Sequence, residues 1–136
     1  MNWKLVFQLS LLGLAMALGT VFLIPSSVEP ICWLAIFLVC AYAVARRCRQ
    51  KLFLHGLAIG IANSFWVTAA HILFFGQYIA NHAKEAAMMK SMPLPDSPRL
   101  MMALTGPVIG VVSGVIIGVL CLLAGKVIKG ARPETA

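Results

Sequence analysis

Residues 53–82, FLHGLAIGIANSFWVTAAHILFFGQYIANH, form a long apolar run that also carries hydrogen-bonding side chains. Successive residues of an α-helix are rotated by about 100°, so the polar side chains of this run fall mainly on one face, opposite Phe65 and Trp66. A membrane tolerates such groups where they face protein. We therefore expect them to form a polar pathway or seam, whose candidate residues are Asn63, Ser64, Thr68, His71, Tyr78 and Asn81.

The composition is typical of an integral membrane protein. Of 136 residues, 61% are hydrophobic and only 11% are charged, which is too apolar for a soluble domain of this length. The apolar runs are continuous and near the ~20 residues that a spanning helix needs, whereas membrane strands alternate in hydrophobicity. The fold class is predicted to be all-α, an integral membrane four-helix bundle. The four cysteines form no C-x-x-C pair and are interpreted as small apolar fillers.

Four apolar runs divide what we predict to be a single transmembrane domain over residues 1–136. The predicted spans are about 5–24, 29–46, 52–79 and 103–125, with an outer loop over residues 80–99. The first run continues past a small-residue motif that resembles a signal-peptide cleavage site, which favours an uncleaved helix. Pro107 interrupts the last run, where it either kinks the helix or begins it.

Basic residues predict the orientation. The net charge of +7 comes from Lys and Arg at the ends of the apolar runs, so we attribute it to membrane topology rather than to nucleic-acid binding, for which no motif is present. Eight basic residues share one side: Lys4, Arg46, Arg47, Arg49, Lys51, Lys126, Lys129 and Arg132. Three lie in the outer loop: Lys84, Lys90 and Arg99. We therefore expect a bacterial-type inner (plasma) membrane location with both N and C termini cytoplasmic.

The most specific pattern is a glycine ladder in the last run. Four glycines recur at every fourth residue and so share one helix face: Gly106, Gly110, Gly114 and Gly118. Such a face lets another helix backbone approach closely and gain van der Waals contact. The partner is expected to be the second or third helix of the same chain, or another copy. A narrow pore lined by backbone is the functional alternative.

His71 lies in the middle of the third run, where an ionisable side chain by default indicates function. The structural alternative is a neutral imidazole hydrogen-bonded to Thr68, Ser64 or a backbone carbonyl. All four carboxylates are placed in loops or the tail, which argues against proton-coupled transport: Glu29, Glu85, Asp96 and Glu134. The H-E-x-x-H, G-x-S-x-G and phosphate-loop motifs are missing, so a non-enzymatic protein is expected.

No cofactor is predicted, although metal and haem binding are alternatives. His82, Met88 and Met92 supply an imidazole and thioethers, ligands that suit Cu(I). The same methionines could instead bury an amphipathic loop helix. A haem would need a second axial histidine, but His55 lies 16 residues before His71 on the same helix, about 24 Å away along its axis.

These patterns predict a small polytopic membrane protein that acts by helix association, as a non-enzymatic accessory or structural subunit. Its expected partners are the lipid bilayer and either a second copy or another membrane protein, with no nucleic acid. One alternative is a small oligomeric channel or transporter lined by the polar face of the third helix. The second alternative is a haem- or copper-binding membrane protein.

Overall fold

The computed structural model describes residues 1–130, with side chains as far as residue 128. Arg132 and Glu134, which enter the sequence predictions, lie outside the described residues, as does the Lys129 side chain. The described chain is all-helical and contains six helices: α1 (Trp3–Phe22), α2 (Glu29–Arg47), α3 (Leu52–Leu73), α4 (Phe75–Asn81), α5 (Ala83–Met89) and α6 (Pro98–Gly130). Helices α1, α2, α3 and α6 are each long and apolar enough to cross a membrane. The all-α class is thereby confirmed, together with four long, apolar candidate spans.

The third apolar run forms two helices instead of the single helix expected over residues 52–79. Helix α3 ends at Leu73, and Phe74 adopts a non-helical conformation with φ −104° and ψ 36° before α4 begins. In one straight helix, His71 and Tyr78 would be about 10 Å apart along the axis. Their ring centroids are 4.0 Å apart. The break therefore allows these two side chains to stack.

Helix α6 passes through Pro107 without ending, so it does not begin at this proline. The span expected over residues 103–125 is the middle part of a longer helix that starts at Pro98. Membrane helices tolerate proline because neighbouring side chains and local adjustments satisfy the freed backbone groups. Pro98 and Arg99, which are expected in the outer loop, thus belong to α6, and residues 100–102 continue the helix to the predicted span.

Helices α3 and α6 form the closest pair, with α1 packed against α3 and α2 packed against α6. Glycines of both helices meet at this crossing, where Gly56 lies against Gly118 and Gly60 lies against Gly114. A Cβ atom placed on Gly56 would lie 2.5 Å from the Cα atom of Gly118, well inside van der Waals contact. The partner of the glycine ladder is therefore α3 of the same chain.

Apolar side chains fill the half of the protein next to residues 46–51, which we call the basic end. This core joins all four long helices and consists of Leu5, Val6, Cys40, Ala41, Val44, Cys48, Leu52, Ile59, Ile117 and Cys121. His55 connects the N-terminus to α3 in this half. Its Nε2 accepts a hydrogen bond from the backbone N–H of Asn2 at 2.9 Å, and its Nδ1 lies 2.8 Å from the Lys51 carbonyl oxygen. The buried residues of α2 all belong to this half.

Candidate functional site

A cavity of about 380 Å³ lies between α2, α3 and α6 near the opposite end, which carries residues 74–97 and is called the loop end. Its walls are mostly apolar and include Trp33 and Phe37 of α2. Five methionines from α5, the following loop and α6 also line it: Met88, Met89, Met92, Met101 and Met102. Pockets of about 300–1,000 Å³ with apolar walls and a few polar groups are typical of small-molecule sites.

The cavity is closed toward the basic end. Its lining residues nearest to that end are Gly60 and Ser113. Beyond them, Ile59 and Ile117 are fully buried in the apolar core and do not line the cavity. Among the described side chains, the space between α3 and α6 is therefore a blind pocket rather than a passage through the protein.

The polar face predicted on the third run contributes directly to this cavity. Five of the six candidate residues line it: Asn63, Ser64, Thr68, His71 and Tyr78. The sixth, Asn81, does not, because its Nδ2 donates a hydrogen bond of 2.6 Å to the Val21 carbonyl oxygen. Asn81 thus connects α4 to the end of α1.

Asn63 is the least satisfied polar side chain of the cavity wall. It is only 3% exposed, and neither its Oδ1 nor its Nδ2 has a hydrogen-bond partner among the described residues. Gly13 of α1 makes room for it, since a Cβ atom there would lie 2.6 Å from the Asn63 Cγ. Leaving a buried amide unpaired costs about 1–3 kcal/mol. Both polar atoms are buried and the amide packs against Gly13, so it is not open to a molecule in the cavity.

Ser64 and Thr68 fit into the loop-end part of the glycine ladder. The Ser64 hydroxyl donates to the Gly106 carbonyl oxygen. A Cβ atom on Gly110 would lie 2.6 Å from the Cβ of Ser64, and one on Gly106 would lie 3.1 Å from the Cβ of Thr68. The ladder therefore accommodates glycines of α3 near the basic end and polar side chains of α3 beside the cavity. Both polar residues have a packing role as well as lining the cavity.

His71 is buried and pairs with α1, not with Thr68 or Ser64 as the sequence suggested. Its Nε2 lies 3.1 Å from the Thr20 hydroxyl oxygen, and that hydroxyl donates to the Ala17 carbonyl oxygen at 2.9 Å. Because the hydroxyl has one proton, His71 must donate from Nε2, which leaves Nδ1 as an acceptor. The distant partner could not be identified from the sequence of the third run.

Three rings form a stack from α3 to the end of α4. His71 and Tyr78 have ring centroids 4.0 Å apart, and Tyr78 and His82 have centroids 4.4 Å apart, with nearly parallel planes in both pairs. Tyr78 lies in α4, outside the four long helices. Burial, followed by the charges of Glu29 and Glu85, raises the pKa of Tyr78 to about 12. Its phenol therefore stays protonated and can donate a hydrogen bond at neutral pH.

Sequence reasoning missed two carboxylates that line the cavity, Glu29 and Glu85. Glu29 is the first residue of α2, and its Oε1 accepts the Trp33 indole N–H at 3.2 Å. Glu85 lies in α5, and its Oε2 accepts the Ser26 hydroxyl at 3.0 Å. The spacing of Glu29 and Trp33 by four residues was a sequence signal for their contact. Nothing local indicated Glu85, because the turns around α4 and α5 bring it to the cavity.

The residues considered as copper ligands differ in their access to the cavity. Met88 and Met92 line the cavity, whereas His82 is fully buried outside its wall with Nδ1 3.1 Å from the Tyr78 carbonyl oxygen. In the part of the chain that the structure describes, no three His, Cys, Asp or Glu side chains are grouped to hold a metal ion. Copper binding by His82 with these methionines stays a prediction.

Comparisons with known protein families, with characterised proteins and with solved structures give no match to this chain. Its function is therefore inferred from the cavity and from the side chains that line it.

Proposed function

We propose that this protein is an integral membrane protein that binds a small, largely apolar molecule in the cavity between α2, α3 and α6. The observation that carries the proposal is the cavity itself, whose mostly apolar wall also carries polar side chains such as Tyr78 and Thr105. A ligand with one hydrogen-bonding group would place that group beside Tyr78 while its apolar body contacts the methionines.

Binding is favoured over conduction through one chain because the fully buried Ile59 and Ile117 separate the cavity from the basic end. Solute binding is also the first step of the transporter alternative, which needs a further conformational change. If both termini are cytoplasmic in an inner membrane, as the basic residues predict, the cavity belongs to the periplasmic half. A ligand would then enter from that side or from the adjoining lipid.

Helix association, the function expected first from the sequence, stays a prediction. The glycine ladder is covered by α3, so it offers no free surface to a second copy at the Gly60 and Gly114 crossing. Helix α2 exposes apolar side chains, among them Ile31 at 69% and Leu34 at 56%. Such a surface suits lipid and a partner helix equally. The cavity, unlike this surface, indicates one function in particular, the binding of a small molecule.

Filling the cavity tests the proposal. Thr105 lines the cavity on α6, whereas its neighbour Leu104 does not line it and is 57% exposed. The probe is phenylbutanol, which has an apolar body and one hydroxyl group, and its binding to the purified protein in neutral detergent is measured by calorimetry. We expect Thr105→Phe to abolish binding and Leu104→Phe to preserve it. Equal binding by both variants, or no saturable binding by the wild type, would contradict the proposal.

A further inference from the structure

From the charges at the loop end we infer that the preferred ligand of this cavity is an organic cation, an amine with an apolar body. This inference rests on the proposed function and specifies its ligand. Two acidic side chains line the cavity, those of Glu29 and Glu85. No Lys or Arg is among the side chains that line the cavity. The electrostatic field of the cavity wall therefore favours a positive group and opposes an anion.

The two carboxylates lack a cationic partner of fixed charge. Among the described side chains, no Lys or Arg nitrogen lies within 4.0 Å of either carboxylate, and the one basic group in that range is His82, whose Nε2 is 3.8 Å from Glu29. Since His82 Nδ1 lies against a carbonyl oxygen at 3.1 Å, a neutral ring has its proton there and directs a lone pair toward Glu29. Even a protonated His82 would balance one carboxylate and leave Glu85 uncompensated.

Aromatic rings lie beside the carboxylates. The Trp33 indole N–H donates a hydrogen bond to Glu29, and the Trp33 and Phe37 ring centroids are 6.0 Å apart on the same wall. An ammonium group next to Glu29 can therefore also approach an aromatic face, a favourable contact that strengthens where water is excluded. The ligand head and the carboxylates attract each other more strongly in this mostly apolar setting than in water.

The remaining lining residues suit the apolar body of such a ligand. Methionine side chains are unbranched and polarisable, so the five in this cavity can adapt to apolar groups of different shape. Among the polar side chains of the wall, Tyr78 and Thr105 carry hydroxyl groups that can hydrogen-bond to a further polar substituent. The ligand class is therefore defined by charge and amphipathic character rather than by one rigid outline.

Three probes with the same phenylbutyl body test this inference on the full-length protein in neutral detergent. They are phenylbutylamine, which is a cation at neutral pH, the neutral phenylbutanol and the anion phenylbutyrate. We expect the amine to bind about tenfold more tightly than the alcohol, and the anion to bind most weakly. Glu29→Gln and Glu85→Gln should each weaken amine binding by about fivefold to tenfold, a larger loss than either causes in alcohol binding.

Asp96→Asn is the matched control, because Asp96 is an exposed acid near the loop end that does not line the cavity. It should leave all three affinities unchanged. If the alcohol binds as tightly as the amine and both Gln variants behave as wild type, the inference is overturned while cavity binding stands. If none of the probes binds, or Thr105→Phe does not affect their binding, the proposed function fails together with the inference.

Discussion

Adding one methyl group at the crossing of α3 and α6 should measurably destabilise the protein. In Gly60→Ala, the new Cβ would overlap the Cα of Gly114 and lie 3.0 Å from the carbonyl carbon of Ser113, whereas ordinary contacts begin near 3.4 Å. Both atoms belong to the backbone, so the helices must separate. Such overpacking costs about 1–3 kcal/mol. The better helix propensity of alanine offsets up to about 1 kcal/mol of this cost.

Unfolding by sodium dodecyl sulphate in mixed micelles, followed by tryptophan fluorescence, gives the free energy of unfolding for this test. We expect Gly60→Ala to lose about 1–2 kcal/mol. The control is Gly76→Ala in α4, because nothing lies within 4 Å of its added Cβ and the backbone has no positive φ there. The control should be neutral or gain up to about 1 kcal/mol. A Gly60→Ala variant as stable as Gly76→Ala would refute the close backbone contact.

Three further perturbations follow from the side-chain contacts. Asn63→Leu should raise the free energy of unfolding by about 1–3 kcal/mol in the same assay, because it removes an unpaired buried amide; a loss of stability would contradict this. Asn81→Ala should cost about 1 kcal/mol by removing the bond to Val21, and a neutral result would show that this bond contributes nothing. In intact-mass measurements of the folded protein, a small maleimide should label the partly exposed Cys32 and spare the fully buried Cys40; the reverse order would contradict the packing of α2.

The sequence predicted those features that depend on local patterns. Continuous apolar runs identified the four long helices, and the regular spacing of the glycines identified a face for close helix contact. The polar face of the third run was also recognised, since helical periodicity alone places Asn63 and His71 on the same side. Five of its six candidate residues line the cavity, because that side of α3 faces both the cavity and α6.

Features that depend on contacts between distant segments could not be predicted. The end of α3 at Leu73 is coupled to stacking of Tyr78 on His71, and the pairing of His71 with Thr20 requires α1 as a neighbour. Glu85 was placed in a loop by the sequence, although the fold brings it to the same cavity as Glu29. An acidic residue outside an apolar run can thus still line a site at the end of the helices.

The most direct test is a crystal structure of the protein with a bromophenyl analogue of phenylbutylamine, with bromine located by its anomalous scattering. We expect one bromine peak in the cavity between Phe37 and Met102, with the amine directed toward Glu29 or Glu85. The peak should disappear in Thr105→Phe. Bromine found only on the outer apolar surface, or unchanged by Thr105→Phe, would contradict the claim that this cavity binds small molecules.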